Sequence, residues 1–255
     1  MQVYKRFPKI PETKIVDGMI DLLTQQYIIK ESLEIQNTDI VFVGGFRTSL
    51  QHIKKLEHNN FINIDKGYIQ PNKKVTDYWR MTFNNFQQRS ILDVPGDRLK
   101  DFEISPWNKS GSYILILAPN PDPVQYYCNS TSQQWVEQVK IKLLGLTDRK
   151  IFVRYKDNKK IRSHDPFAKY LKDCYAVVSL QSIGCVESIA HGVPAINLAP
   201  SCLDGLYKSD LNNIENLEYP KNRYEWFKSL SYSQFTWNEM KTGVALNIIE
   251  QYHIT

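Results

Sequence analysis

No stretch of this 255-residue chain approaches the ~18 consecutive apolar residues that a membrane-crossing helix needs. The opening residues, MQVYKRFPKIPETK, carry no apolar core of the kind found in a secretory leader. Cysteine is scarce. Cys128, Cys174, Cys185 and Cys202 form no C-x-x-C and no Cys/His spacing suited to zinc. Cys174 and Cys185 stand in apolar or helical surroundings, where a buried free thiol is expected. There is no G-x-G-x-x-G, no P-loop and no internal repeat. These absences predict a cytoplasmic, reduced, zinc-free protein without a membrane span, and they remove the two commonest phosphate-binding fingerprints.

Hydrophobic residues make up 42% and charged residues 23% of the chain, a globular balance. The net charge of +5 gives a mild preference for anionic partners such as nucleotides, phosphates or nucleic acid. Basic residues are densest in RYKDNKKIRSH, 154–164. Fifteen tyrosines and five tryptophans supply ring surface, most of it suited to core packing.

Short β-rich runs alternate with amphipathic helical runs, which predicts parallel sheets in βαβ units. QVYKRF, TDIVFVGGF, NFINIDKGYI and DYWRMTFNNFQ read as strands of a first half. Residues 88–111, rich in Pro, Gly, Asn and charge, read as a linker. The alternation then restarts with SYILILAP, KIFVRYK, AVVSL and PAINLAP, separated by helical runs, and the last 35 or so residues read as helices. The fold class expected is α/β: two Rossmann-like domains facing a cleft, the first of them reduced. Residues 1–110 form one domain and 111–255 the other, with a C-terminal helix crossing back.

The stretch SLQSIGCVESIAHGVPAINLAP, 179–200, runs from a strand end through small residues into a helix. The first turn of a helix has unsatisfied N–H groups and the positive end of its dipole, which suit an anion. Gln181, Ser182, Ile183 and Gly184 make that bend; Ser182 is placed to cap, and Gly184 lets a ligand come close. Glu187, further along, suits the two hydroxyls of a ribose, because an ionised carboxylate only accepts hydrogen bonds. Each residue alone is explained equally well by capping or by a solvated surface. In open parallel sheets this place, beyond the C-terminal end of a strand, is where ligands bind.

Taken together, the Ser-rich turn, the Glu in the following helix and HGVPAI resemble the donor-binding segment of GT-B glycosyltransferases, of the capsule and phage-encoded kinds. The resemblance covers 111–200 and, more weakly, 38–90. It implies that Arg154, and with it Arg162 and His164, faces the diphosphate of a nucleotide-sugar donor, a UDP-sugar among others. The planar fork of arginine can grip phosphate oxygens bidentately. In the first half, NIDKGYIQPNKKVTDYWRMTFNNFQ implies an acceptor side, with Asp65 as general base, Asp77 second, and Arg47, Tyr68, Trp79 and Arg80 as acceptor or phosphate contacts. A turn cap explains Asp65 as well, and a salt bridge explains Arg47, Arg80 or Arg98. No D-x-D appears at a strand end in a donor-like context, so the resemblance implies a metal-independent enzyme without cofactor.

The function expected is transfer of a sugar from a nucleotide sugar to an acceptor hydroxyl. The acceptor favoured at this point is a hydroxymethylated pyrimidine in double-stranded (phage) DNA, its base extruded and stacked on Trp79 or Tyr68. A surface or lipid-linked saccharide is the alternative acceptor. A sugar-nucleotide epimerase and a non-catalytic nucleotide- or nucleic-acid-binding module are the competing classes.

Overall fold

A parallel sheet buried on both faces needs near-continuous apolar strands, and several runs here have that character, IVFVG, YILIL and CYAVVS among them. A computed structural model describes residues 3–6, 28–31, 40–44, 60–69, 78–99, 102–155 and 167–254. In chain order the strands are β1 (Val3–Arg6), β2 (Ile28–Glu31), β3 (Ile40–Gly44), β4 (Asn60–Lys66), β5 (Trp79–Phe83), β6 (Tyr113–Leu117), β7 (Lys150–Arg154), β8 (Cys174–Ser179), β9 (Ala195–Asn197) and β10 (Gln234–Phe235). The α-helices are α1 (Pro121–Cys128), α2 (Ser132–Leu144), α3 (Gly184–Ala190), α4 (Arg223–Ser231), α5 (Trp237–Lys241) and α6 (Val244–Tyr252). The chain is mixed α/β with parallel sheets, and no described helix is long and apolar enough to cross a membrane. It divides into two compact units, 1–100 with 225–255, and 101–224. These limits differ from a boundary drawn at 110/111, and they assign 225–255 to the first unit.

The first unit holds a sheet of order β10-β5-β4-β3-β1-β2. β1, β2, β3 and β4 pair in parallel, whereas β5 and β10 run antiparallel, so the sheet is mixed. Side chains alternate along each strand. Ile40 and Phe42, Ile62 and Ile64, and Trp79 and Met81 form one face, and Met240, Ala245, Leu246 and Ile249 of α5 and α6 cover it. Residues 233–252 do not form one long helix. Gln234–Phe235 pairs with β5, a capping box of Thr236 and Glu239 starts α5, and Gly243 at φ 82° separates α5 from α6.

Part of the run read as a linker is built into this unit. Val94 and Leu99 are buried, and Leu92 N–H donates to Ser229 Oγ at 3.0 Å. Arg98 donates from Nε to the Ser231 carbonyl at 3.0 Å and from Nη2 to that of Gln234 at 2.9 Å, and it pairs with Glu239. That side chain is structural glue.

The second unit holds an all-parallel sheet of order β7-β6-β8-β9. Ile114, Ile116, Ala176 and Val178 share a core with Trp135, Val136, Val139 and Leu143 of α2. α2 begins in a capping box of Thr131 and Gln134. α1 is a helix that the pattern of apolar residues did not announce; its signal is the proline at its first position. α3 is followed by Gly192, φ 78°, where the 105–108 segment lies across the backbone: Ser105 N–H donates to the Ala190 carbonyl and Asn108 N–H to that of Gly192, each at 2.8 Å.

A Cβ added at Gly192 would sit 2.0 Å from the Pro106 carbonyl oxygen, in a backbone conformation that costs an L-residue ~1–2 kcal/mol by itself. Gly192→Ala should lower the unfolding free energy by about 2 kcal/mol or more in urea titrations.

At the end of α6, the His253 Nε2 lies 3.1 Å from the Tyr232 carbonyl. A carbonyl only accepts, so the proton sits on Nε2. Burial pushes this imidazole from its ordinary 6.5 down to about 4, against the pull of that carbonyl. The unfolded chain therefore binds the proton first. The stability contributed by neutral His253 is complete above about pH 6.5 and drains away as the pH falls toward 4. Denaturation midpoints between pH 7 and 4 should fall more steeply for the wild type than for His253→Asn.

Candidate functional site

A chain entering a parallel sheet at β6, then moving to β7 on one side and β8 on the other, opens a crevice beyond the C-terminal ends of β6 and β8. Ala118–Asn120 and Leu180–Ser182 form its two banks. One buried polar cluster fixes the second bank. Ser179, the last residue of β8, donates its hydroxyl to Asn197 Oδ1 and accepts from Ser182 N–H at 2.9 Å. The Cys185 thiol donates to the same Asn197 oxygen at 3.1 Å, and Asn197 Nδ2 donates to Ser201 Oγ at 2.9 Å. Ser179, Cys185, Asn197 and Ser201 are all buried. Burial pushes the Cys185 thiol up to about 12, so it keeps its proton at neutral pH and serves as a donor.

Four backbone donors of the bend and the first turn after it are engaged within the chain: Ser182 N–H by Ser179 Oγ, Gly184 N–H by Ser182 Oγ at 3.1 Å, Cys185 N–H by the Ser182 carbonyl and Val186 N–H by that of Ile183. The space beside Gly184 belongs to the protein, since a Cβ there would lie 2.9 Å from Leu117 Cδ1 and 3.3 Å from Ser182 Oγ. The glycine admits neighbours of its own chain. Gln181 and Ile183 are half-buried in the same bend, and Glu187 is exposed on α3.

Arg154 ends β7. Its guanidinium lies 5.2 Å from the Phe167 ring centre and 5.5 Å from that of Tyr170. It makes no hydrogen bond or ion pair with the described residues. Other arginines are committed: Arg149 stacks on Tyr175 at 3.6 Å and pairs with Glu215, while Arg223 stacks on Trp107 at 3.8 Å and donates to the Ile189 carbonyl. Arg154 is a cation set beside two rings, its donors unengaged among the described residues. Arg162 and His164 lie outside the described residues, as do Arg47 and Asp77.

In the first unit the structure brings Asp65 and Arg80 together and sends Trp79 elsewhere. Asp65 and Arg80 are cross-strand partners with Gln234 next in the row. Arg80 Nη2 donates to Asp65 Oδ2 at 2.7 Å, and the other carboxylate oxygen accepts from Lys66 N–H at 2.8 Å. Arg80 is 6% exposed and sits 5.5 Å over the Tyr68 ring; its Nε finds no partner. The Asp65 side chain keeps 26% of its surface. Gln234 Oε1 accepts from the N–H groups of Tyr68 and Ile69 at 2.8 and 2.9 Å, which pins the chain beyond β4.

Trp79, one residue from Arg80, points to the opposite face, where it is buried edge-to-face on Trp237 at 6.4 Å. Tyr68 is buried too, its hydroxyl accepting from Gln88 N–H at 2.6 Å. Neither ring has a face to offer an extruded base.

Asn197 and Gln234 are the positions that sequence reasoning passed over. Asn197 interrupts the apolar run PAINLAP, and that interruption was the available signal; Gln234, between Ser233 and Phe235, had none.

No family profile matches this chain, and no curated protein sequence does. Two solved structures from Thermosulfurimonas dismutans share its fold. The KpsC beta Kdo 2,4 transferase aligns with a TM-score of 0.57 at 10% identity, over 98% of this chain and 98% of that one. The KpsC beta Kdo 2,7 transferase aligns with a TM-score of 0.53 at 9% identity, over 97% and 99%. The likeness speaks for the fold.

Removing Asn197 strands the polar atoms of Ser179, Cys185 and Ser201 in a dry interior. Asn197→Ala should cost about 1–3 kcal/mol for a lost buried partner, read as a lower denaturation midpoint.

Proposed function

We propose that this chain is a glycosyltransferase of the GT-B class, moving a sugar from a nucleotide-sugar donor to a hydroxyl of a surface or lipid-linked saccharide. The observation that carries this reading is the end-to-end match, 97% or more of both chains, to two structures named as Kdo transferases. Their names describe sugars joined at numbered positions, which favours a saccharide acceptor over modified DNA. The burial of Trp79 and Tyr68 argues the same way.

In this reading the donor lies against the crevice beyond β6 and β8. Arg154 binds the phosphates, and its fixed positive charge stabilises the leaving group without a metal. Glu187 accepts from the ribose hydroxyls. Asp65, oriented by Arg80 and Lys66 N–H, takes the proton of the acceptor hydroxyl as its oxygen attacks the anomeric carbon. The bond from that carbon to the phosphate oxygen breaks, and the nucleotide departs with the electron pair.

The test is nucleotide release from a panel of nucleotide sugars, with and without acceptor saccharides and with hydroxymethylated DNA. Release that depends on a saccharide supports the reading; release with no acceptor, or only with DNA, contradicts it. Asp65→Asn should lower turnover by about 10²–10⁴-fold and leave nucleotide-sugar affinity unchanged. Unaltered turnover would remove Asp65 from the reaction.

A further inference from the structure

The second unit carries a pocket of about 550 Å³ lined by Tyr113, Leu115, Phe152, Val153, Arg154, Tyr155 and Tyr170. That size falls within the range of small-molecule sites, ~300–1,000 Å³. The register of β6 with β7 sets Leu115 beside Phe152 and Leu117 beside Arg154. The 3-10 turn Phe167–Leu171 is tied down next to them by the Tyr113 hydroxyl, which donates to the Tyr170 carbonyl. Phe152 stands edge-to-face on Tyr113 at 4.9 Å. Phe152 nonetheless keeps 51% of its surface and Tyr155 50%, so two large rings remain half exposed beside a guanidinium that makes no hydrogen bond or ion pair with the described residues.

The pocket also adjoins the crevice. The Phe167 ring that lies 5.2 Å from Arg154 comes within 3.8 Å of a Cβ built at Gly184, so one ring links the pocket's cation to the Ser182–Gly184 bend.

We infer that this aromatic pocket binds the base of a nucleoside phosphate, with Arg154 on the phosphate. Flat ring faces stack on a nucleobase of any identity, and a guanidinium beside them complements the attached anion. The inference rests on the donor reading above and locates the end of the donor that the resemblance left unassigned.

The experiment is calorimetric titration of the full chain with CMP, UDP and GDP, and with inorganic pyrophosphate as a base-free competitor. Phe152 and Tyr155 are half exposed, so Phe152→Ala and Tyr155→Ala should fold with unchanged melting temperature. Each should weaken the nucleotide that binds by ~10-fold, the scale of one lost stacking contact, while pyrophosphate competes equally well against all forms. Arg154→Ala should weaken both ligands. If a nucleotide binds the wild type and both ring variants equally, the pocket assignment falls and the transferase reading stands. If no nucleotide binds the wild type, both fall.

Discussion

The side-chain amide of Asn197 ties the C-terminal end of β8 to the start of α3 and to Ser201. It accepts from the Ser179 hydroxyl on the neighbouring strand and from the Cys185 thiol on the helix, and its N–H donates to Ser201 Oγ. Three connections of the chain meet on one buried residue, and the bend at Ser182 hangs from it through Ser179. A cluster of this kind leaves little freedom, because every atom in a dry interior must keep its partner. The bend is therefore a rigid bank beside the crevice, and the amides of Ser182, Gly184, Cys185 and Val186 are spent on holding its shape. Arg154 adds a positive charge nearby, a guanidinium without a hydrogen bond or ion pair among the described residues.

The first unit follows from strand alternation. Asp65 and Arg80 share a face because they are cross-strand partners, and Trp79 is carried to the other face by the same two-residue period. The C-terminal helices occupy that other face, which buries Trp79 against Trp237 and removes it from any ligand. Arg80 is buried with its Nε unsatisfied, and Asp65 is the partially exposed end of the pair. A buried arginine committed to a partly exposed carboxylate orients that carboxylate and is itself poorly placed to contact a phosphate.

The alternation of apolar runs gave eight of the ten described strands and the parallel pairing of most of them, because continuous apolar strands need cover on both faces. It did not give β2 or β10, short strands of four and two residues that carry too little period, nor the antiparallel direction of β5. The helical reading of 233–252 ran past a capping box and a glycine that mark two helix starts. In the site, Ser182, Gly184 and Arg154 were recognisable at a strand-to-helix bend and a strand end. That Ser182 N–H and Gly184 N–H would be engaged by serine hydroxyls was not, because Ser179 is itself held by Asn197, eighteen positions further on, and a partner at that distance has no signature in a local window. The split of Arg80 from Trp79 was derivable from the alternation alone.

The account turns on where a nucleotide sugar sits, and a crystal structure of the chain soaked with the nucleotide sugar that it binds tests this most directly. The account predicts phosphate density beyond the C-terminal ends of β6 and β8, within hydrogen-bonding reach of the Arg154 guanidinium. Density at the opposite ends of those strands, or only at the first unit's sheet, would contradict it.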